Sequence, residues 1–201
     1  MEKEAINKAK RELALISQRA YHRGLTSGSG GNISARVEGA QWVVIKSSGV
    51  SFADCTEENM ILVDLYSNVL DGSRKPSKEV KFHCGIYRVR PEVMAVVHTH
   101  SPQATAFSVV GREIPPVTVS AAKGVGRIPL LGYAPPGSAE LAQLVTEAFQ
   151  DPNLKAALLQ NHGVIAVGKS LHEALYFAEV VEDTAKIAIL AEELGTPLPF
   201  V

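Results

Sequence analysis

Val93-Met94-Ala95-Val96-Val97-His98-Thr99-His100-Ser101-Pro102 is the stretch on which the reading of this chain turns. The run from Val93 to Val97 is apolar and delivers two histidines one residue apart. In a strand, residues i and i+2 face the same side. His98 and His100 are therefore expected to point one way from the end of a buried strand, and Thr99 the other. Two imidazoles so placed can share one metal ion, at about 2.0–2.1 Å per bond for zinc. Ser101-Pro102 then opens a helix, with serine at the N-cap and proline at the first helical position. Sites on α/β sheets gather where a strand end meets a helix start. A single His-x-His is weak evidence for a metal, because interior histidines are often only hydrogen-bonded; the other motifs decide.

The 201 residues suit one domain or two small ones, and folding at this length buries about 70% of the unfolded surface, enough for a core without staples. A net charge of −1 and the lack of a long basic run argue against nucleic acid or an anionic membrane as the main partner. Cys55 and Cys84 form no CxxC pair, which fits a reduced, cytoplasmic setting. Met1-Glu2-Lys3-Glu4 begins an amphipathic helix and not an apolar signal segment. The most apolar stretch, 156–167, is broken by Gln160, Asn161 and His162 and is too short to span a bilayer.

Ile6, Ala9, Leu13, Ile16 and Ala20 make one helix face, which Gly24 is placed to end. Thr26-Ser27-Gly28-Ser29-Gly30-Gly31-Asn32 offers bare backbone N–H groups that can cradle an anion, especially phosphate. Its spacing matches neither the Walker A loop nor the dinucleotide fingerprint. Residues 33–37 and 41–46 read as a hairpin running into a second small polar turn, Ser47-Ser48-Gly49. Thr56 begins a helical turn, 60–65 is a strand, and 68–75 a polar connection. Pro76-Ser77-Lys78-Glu79 opens a helix stopped by Pro91, with Ser77 as N-cap and Glu79 in a first turn where the helix dipole favours a carboxylate. His83, one turn on, is either a ligand or a hydrogen-bonded interior histidine. Further expectations are a helix over 102–110, short strands over 115–119 and 126–131, and a helix from Ser138 to about Gln150. Strands over 156–160 and 164–167 flank the Asn161-His162-Gly163 turn. A last helix follows, with Leu171, Ala174, Leu175, Ala178, Val181, Ala185 and Ile189 on its apolar side, and Pro197 and Pro199 close the chain. One α/β domain over residues 1–201 is the economical architecture, with a largely antiparallel sheet covered by helices.

His98, His100, His162 and Glu79 share a character. Three imidazoles can hold a catalytic zinc, and a carboxylate able to leave the metal can act as general acid/base. Here the sequence resembles a known family. Gly31-Asn32, Ser48-Gly49, Pro76-Ser77-Lys78-Glu79, His98-Thr99-His100 and Asn161-His162-Gly163 are similar, in order and spacing over nearly the whole chain, to the motifs of the class II aldolase/adducin family. The resemblance implies that His98, His100 and His162, with Glu79, bind Zn²⁺, for which Mn²⁺ or Co²⁺ can substitute. It implies that Glu79 is the acid/base, and that Gly31, Asn32, Ser48, Gly49, Ser77 and Lys78 bind the substrate and its phosphate. It further implies a three-layer α/β/α sandwich with a central, mainly antiparallel sheet, and a four-fold homotetramer with the site near a subunit interface. The implied substrate is a phosphorylated sugar or sugar acid. A fuculose-1-phosphate-like ketose phosphate would be cleaved to dihydroxyacetone phosphate and an aldehyde through a metal-stabilised enediolate. Lys46, Lys78 and Lys123 are candidates for a rival Schiff-base mechanism.

Some positions depart from the aldolases' pattern. Lys78 stands where they carry serine, no tyrosine lies near Val119 to match the one they bring from a neighbouring subunit, and their C-terminal tail runs longer than this chain's. Lys75-Pro76-Ser77-Lys78-Glu79 resembles more closely the family's 3-oxo-tetronate 4-phosphate decarboxylases, in which an ammonium could hold a substrate carboxylate. The family's ribulose-phosphate epimerases carry aspartate at the place of Glu79. Adducin-type heads share the fold without the metal set and act as interaction modules, against which the intact histidines argue.

Overall fold

The computed structural model describes residues 2–196; Pro197 and Pro199 lie outside the described residues. Among the described residues, five α-helices and eight strands follow one another as α1 (Glu2–His22), β1 (Asn32–Arg36), β2 (Trp42–Lys46), β3 (Met60–Asp64), β4 (Val69–Asp71), α2 (Val80–Val89), β5 (Ala95–Thr99), α3 (Pro102–Val109), β6 (Leu130–Leu131), α4 (Ala139–Ala148), β7 (Ala156–Leu159), β8 (Gly163–Gly168) and α5 (Leu171–Leu194). The strands form one sheet in the order β4-β3-β2-β1-β5-β8-β7-β6. This sheet is mixed: β6 pairs β7 in parallel, while the other neighbours run antiparallel. The physical reason is the connection. Parallel neighbours need a crossover, and α4 lies between β6 and β7 in the chain.

Strand alternation sorts the core into two apolar clusters. Ile33, Val44, Leu62, Val97 and Val164 pack with Leu13 and Ile16 of α1, Phe107 of α3 and Leu175 and Val181 of α5. Their sequence neighbours Val43, Ile45, Ile61, Val96 and Ile165 pack with Phe82 and Ile86 of α2 and with Leu141 and Val145 of α4. Because successive side chains alternate faces, His98 shares the side of Val96. Asn32 and Ser34 likewise lie opposite to Ile33 and Ala35, on the side of α2.

Several local expectations shift. Residues 115–119 form no strand, and 120–125 form a π-helical turn, so only Leu130–Leu131 of the stretch 126–131 joins the sheet. The polar connection 68–75 contains the wholly exposed edge strand β4. Helix α2 starts at Val80, so Glu79 occupies the N-cap position in place of Ser77, whose Oγ instead accepts the Glu79 N–H at 3.2 Å. Ser138 does cap α4, accepting from Leu141 N–H at 3.0 Å.

Helix α2 is held against α4 at Gly85, where a Cβ would fall 2.0 Å from Thr146 Oγ1. Gly85→Ala should therefore lower unfolding free energy by about 1–3 kcal/mol through overpacking, despite alanine's better helix propensity. In urea denaturation, Gly85→Ala combined with Thr146→Ala should regain most of that loss. A stabilised single variant would show that the helices are not in contact there.

Candidate active site

The antiparallel register sets Asn32 of β1 opposite His98 of β5, and His98 opposite Ile165 of β8. His98 is fully buried, and its Nδ1 lies 2.8 Å from the Val164 carbonyl. That bond fixes the tautomer with the proton on Nδ1 and turns the Nε2 lone pair inward. His100, one residue past the end of β5, brings its Nε2 to 3.2 Å from His98 Nε2. His162 enters from the turn between β7 and β8, where Asn161 takes φ 56° and the His162 N–H donates to Leu159 O at 3.1 Å. Two close approaches seat the His100 ring: a Cβ at Gly30 would lie 2.7 Å from His100 Nδ1, and one at Gly163 would lie 2.2 Å from Thr99 O and 3.1 Å from His100 Cδ2.

One ring nitrogen from each of His98, His100 and His162 lies within 4.8 Å of the others. Two nitrogens bound tetrahedrally to one zinc sit about 3.3 Å apart, close to the His98–His100 separation. Burial, and after it the neighbouring imidazoles, lowers the pKa of both His98 and His100. They are held neutral, as metal ligands must be. Residues present thus fit a divalent ion.

Glu79 stands beside the trio, only 6% exposed. Its Oε2 accepts from Asn32 Nδ2 at 2.7 Å and lies 3.4 Å from His98 Nε2. Its Oε1 is 3.3 Å from His162 Nε2 and has no hydrogen-bond partner. An orphaned buried carboxylate oxygen costs free energy unless something binds it, and this one faces the histidines. Glu79 does not cap α2 with its side chain, so its placement answers to the site and not to the helix.

A cavity of about 380 Å³ opens over this group. Gly31, Asn32, Ser48, Gly49, Ser77, Lys78, Glu79, His100 and His162 all line it, with His98 buried behind them. The structure thus gathers all the expected site residues. Ser47 and Pro136 also line it and were not anticipated, and the Ser47 Oγ has no partner. Lys46 is buried under the second loop. Its Nζ donates to Ser47 O at 3.2 Å and to Val50 O at 2.5 Å, bracketing the Ser48-Gly49 turn, and burial lowers its pKa. Lys123 is exposed on the π-helical turn and is not among the residues lining the cavity. A larger cavity of about 610 Å³, between α2 and α4, is lined by residues such as Tyr66, Lys81 and Gln143 and holds none of the histidines; volume alone does not mark the chemistry. His83 belongs to the interior, and its partners are Asn32 and Ser34.

The fold and this site define a family. The sequence model described as Class II Aldolase and Adducin N-terminal domain matches residues 11–189, and the chain belongs to that family. It is 36% identical over 183 residues to an L-fuculose phosphate aldolase of Methanococcus maripaludis, covering 91% of this chain and 97% of that protein. It is 33% identical over 192 residues to a 5-deoxy-D-ribulose 1-phosphate aldolase of Bacillus thuringiensis, covering 96% and 89%. A solved L-fuculose 1-phosphate aldolase superposes with a TM-score of 0.90 at 31% identity, over 96% of this chain and 91% of that one. These relatives are named as aldolases, which are lyases, and this chain is an enzyme of their family. Among the described residues no helix is long and apolar enough to cross a membrane.

The histidine trio predicts about one divalent ion per chain, measured by elemental analysis of protein purified without chelator. A double variant, His98→Ala with His162→Ala, should lose it; full metal content in that variant would overturn the assignment. Gly30→Ala should weaken metal retention by roughly tenfold with every ligand intact, because its Cβ displaces His100.

Proposed function

We propose that this chain, folded as one domain over 1–201, is a zinc-dependent aldolase. Its substrate would be a ketose 1-phosphate of the fuculose type, cleaved to dihydroxyacetone phosphate and an aldehyde. The observation that carries this reading is the convergence of His98, His100 and His162 on a space beside an unpartnered Glu79 oxygen, in the cavity that the Gly31 and Ser48-Gly49 loops also line. Zinc, when bound, supplies Lewis-acid stabilisation of negative charge developing on substrate oxygens.

The chain's own groups supply the rest. The loop glycines and the Ser48 and Ser77 hydroxyls hold the phosphate, and remote binding becomes orientation of the reacting carbons. Cleavage breaks the C3–C4 bond. The C4 hydroxyl gives its proton to the Glu79 carboxylate and becomes the aldehyde carbonyl, and the bonding pair moves into an enediolate over C2 and C3. Glu79 returns a proton to C3 through Oε1, completing dihydroxyacetone phosphate. No lysine forms a covalent bond to the carbonyl; the Nζ of Lys46 is occupied by two backbone carbonyls.

The two apolar clusters support the three-layer arrangement. The homotetramer with its site near an interface and the cytoplasmic setting belong to the same reading. A second reading is favoured by one observation: Lys78 is exposed and lines the cavity beside Ser77 and Glu79, where its ammonium could hold a substrate carboxylate. In that case a 3-oxo-tetronate 4-phosphate loses carbon dioxide in place of an aldehyde.

Glu79→Gln should lower turnover of fuculose 1-phosphate by about 10²–10⁴-fold while the fold persists, and borohydride with substrate should trap no adduct. An active variant, or an adduct on Lys78 or Lys123, would contradict the mechanism. Assay of both substrates with wild type and Lys78→Ser separates the two reactions. Aldol cleavage predicts the faster wild-type rate on fuculose 1-phosphate. A faster rate on the oxo acid, lost selectively in Lys78→Ser, would establish the decarboxylase instead.

A further inference from the structure

A buried line of polar side chains runs from the core of α2 to Glu79. Tyr87 Oη lies 2.8 Å from Ser34 Oγ, Ser34 Oγ lies 2.7 Å from His83 Nδ1, His83 Nε2 bonds Asn32 Oδ1, and Asn32 Nδ2 donates to Glu79 Oε2 at 2.7 Å. All five residues are buried. None of Ser34, His83 and Tyr87 lines the site cavity. We propose that His83 is a positioning residue, which acts through Asn32 to hold one Glu79 oxygen and leave the other free for chemistry. The inference rests on the acid/base role of Glu79 given above.

The direction of every hydrogen bond follows from the carboxylate. Glu79 Oε2 accepts, so the Asn32 amide must turn its NH₂ toward it and its oxygen toward His83. His83 Nε2 then carries the proton. Burial pushes the His83 pKa down to about 3, so the ring is neutral and Nδ1 is bare. Ser34 must donate to that nitrogen, which leaves its lone pairs for the Tyr87 hydroxyl. The chain is a one-way relay of donors ending on the carboxylate, and bonds aligned in series strengthen one another.

The alternative amide orientation shows what the relay prevents. An Asn32 flipped by 180° would set its carbonyl against Glu79 Oε2, two acceptors in contact, and would point NH₂ at the donor His83 Nε2. With His83 in place both errors occur together, so the amide has one orientation. With Oε2 held, Oε1 is the oxygen presented to His162 and the cavity. Without the His83 donor, Asn32 is oriented by the carboxylate alone, its carbonyl loses its partner, and the anchor that fixes which Glu79 oxygen faces the substrate is weakened.

The test compares two variants with opposite effects on the donor. His83→Phe keeps a ring that can stack on Phe82, as His83 does at 4.6 Å, and removes the donor. His83→Gln can place an N–H near the old Nε2 but gives Ser34 no imidazole acceptor. With metal content matched, His83→Phe should lower kcat on fuculose 1-phosphate by about 10–100-fold with KM unchanged. His83→Gln should restore most of kcat while being no more stable in urea than His83→Phe. A merely structural role predicts that kcat follows stability in both variants, and equal losses would overturn the proposal. Nitrogen-15 spectra of the metal-free protein give a readout that needs no substrate. The Nε2–H tautomer of His83, with Asn32 side-chain amide protons slow to exchange in wild type and fast in His83→Phe, supports the relay. An Nδ1–H tautomer, or amide exchange equal in both, overturns it. If wild type cleaves neither sugar phosphate nor oxo acid, the proposed reaction fails on its own, and these spectra still decide the role of His83.

Discussion

The Asn32–His98 pairing between β1 and β5 is the constraint on which the site depends. Side chains alternate along a strand, so a slip of one residue would send every member of a strand to the other face. In this register Asn32, Ser34 and His98 face α2, where Glu79, His83 and Tyr87 meet them, while Ile33, Ala35 and Val97 face the other apolar cluster. The same apolar residues that hold the sheet between its helices therefore decide which polar groups meet. Burying Ile33 and Val97 and aiming Asn32 and His98 are one act of folding.

That arrangement concentrates polar groups where burial is expensive. Asn32, His83, His98 and Glu79 are all nearly inaccessible to solvent, and a buried polar group without a partner costs about 1–3 kcal/mol. Most find partners: His98 a backbone carbonyl, His83 both Ser34 and Asn32, and Asn32 the carboxylate. The atoms left without one include Glu79 Oε1 and His162 Nδ1, at the site, and Ser47 Oγ in the cavity wall. Among the described residues the other such atom is Thr105 Oγ1 on α3, so the unpaired atoms gather mainly at the cavity and not behind it.

Much of the site was legible because strand parity and helix punctuation are local rules. His98 and His100 announced a shared direction at a strand end, and Ser138 and Ser101-Pro102 marked helix starts where α4 and α3 begin. The weaker parts depended on longer range. Strand β4 is wholly exposed, so no apolar alternation marked it. The π-helical turn 120–125 sits in a run of small and apolar residues that also suits a strand connection. The parallel β6 spans two residues, too few for any period, and its pairing with β7 depends on the α4 crossover. The N-cap position of α2 falls two residues beyond the expected Ser77, at Glu79, because the Ser77 hydroxyl bonds the Glu79 N–H ahead of the helix. The relay through His83 had a faint trace in the i, i+2 spacing of Asn32 and Ser34 and the i, i+4 spacing of His83 and Tyr87. Only the approach of β1 to α2 makes those four residues one chain.

The central claim is that three histidines hold the ion on which the lyase chemistry depends. Zinc-edge X-ray absorption on the protein loaded with one zinc per chain tests it directly. The account predicts a shell of nitrogen and oxygen at about 2.0–2.1 Å with imidazole multiple scattering from three rings. A sulfur shell at about 2.3 Å, or an oxygen shell without imidazole scattering, would place the ion elsewhere and contradict the site described for His98, His100 and His162.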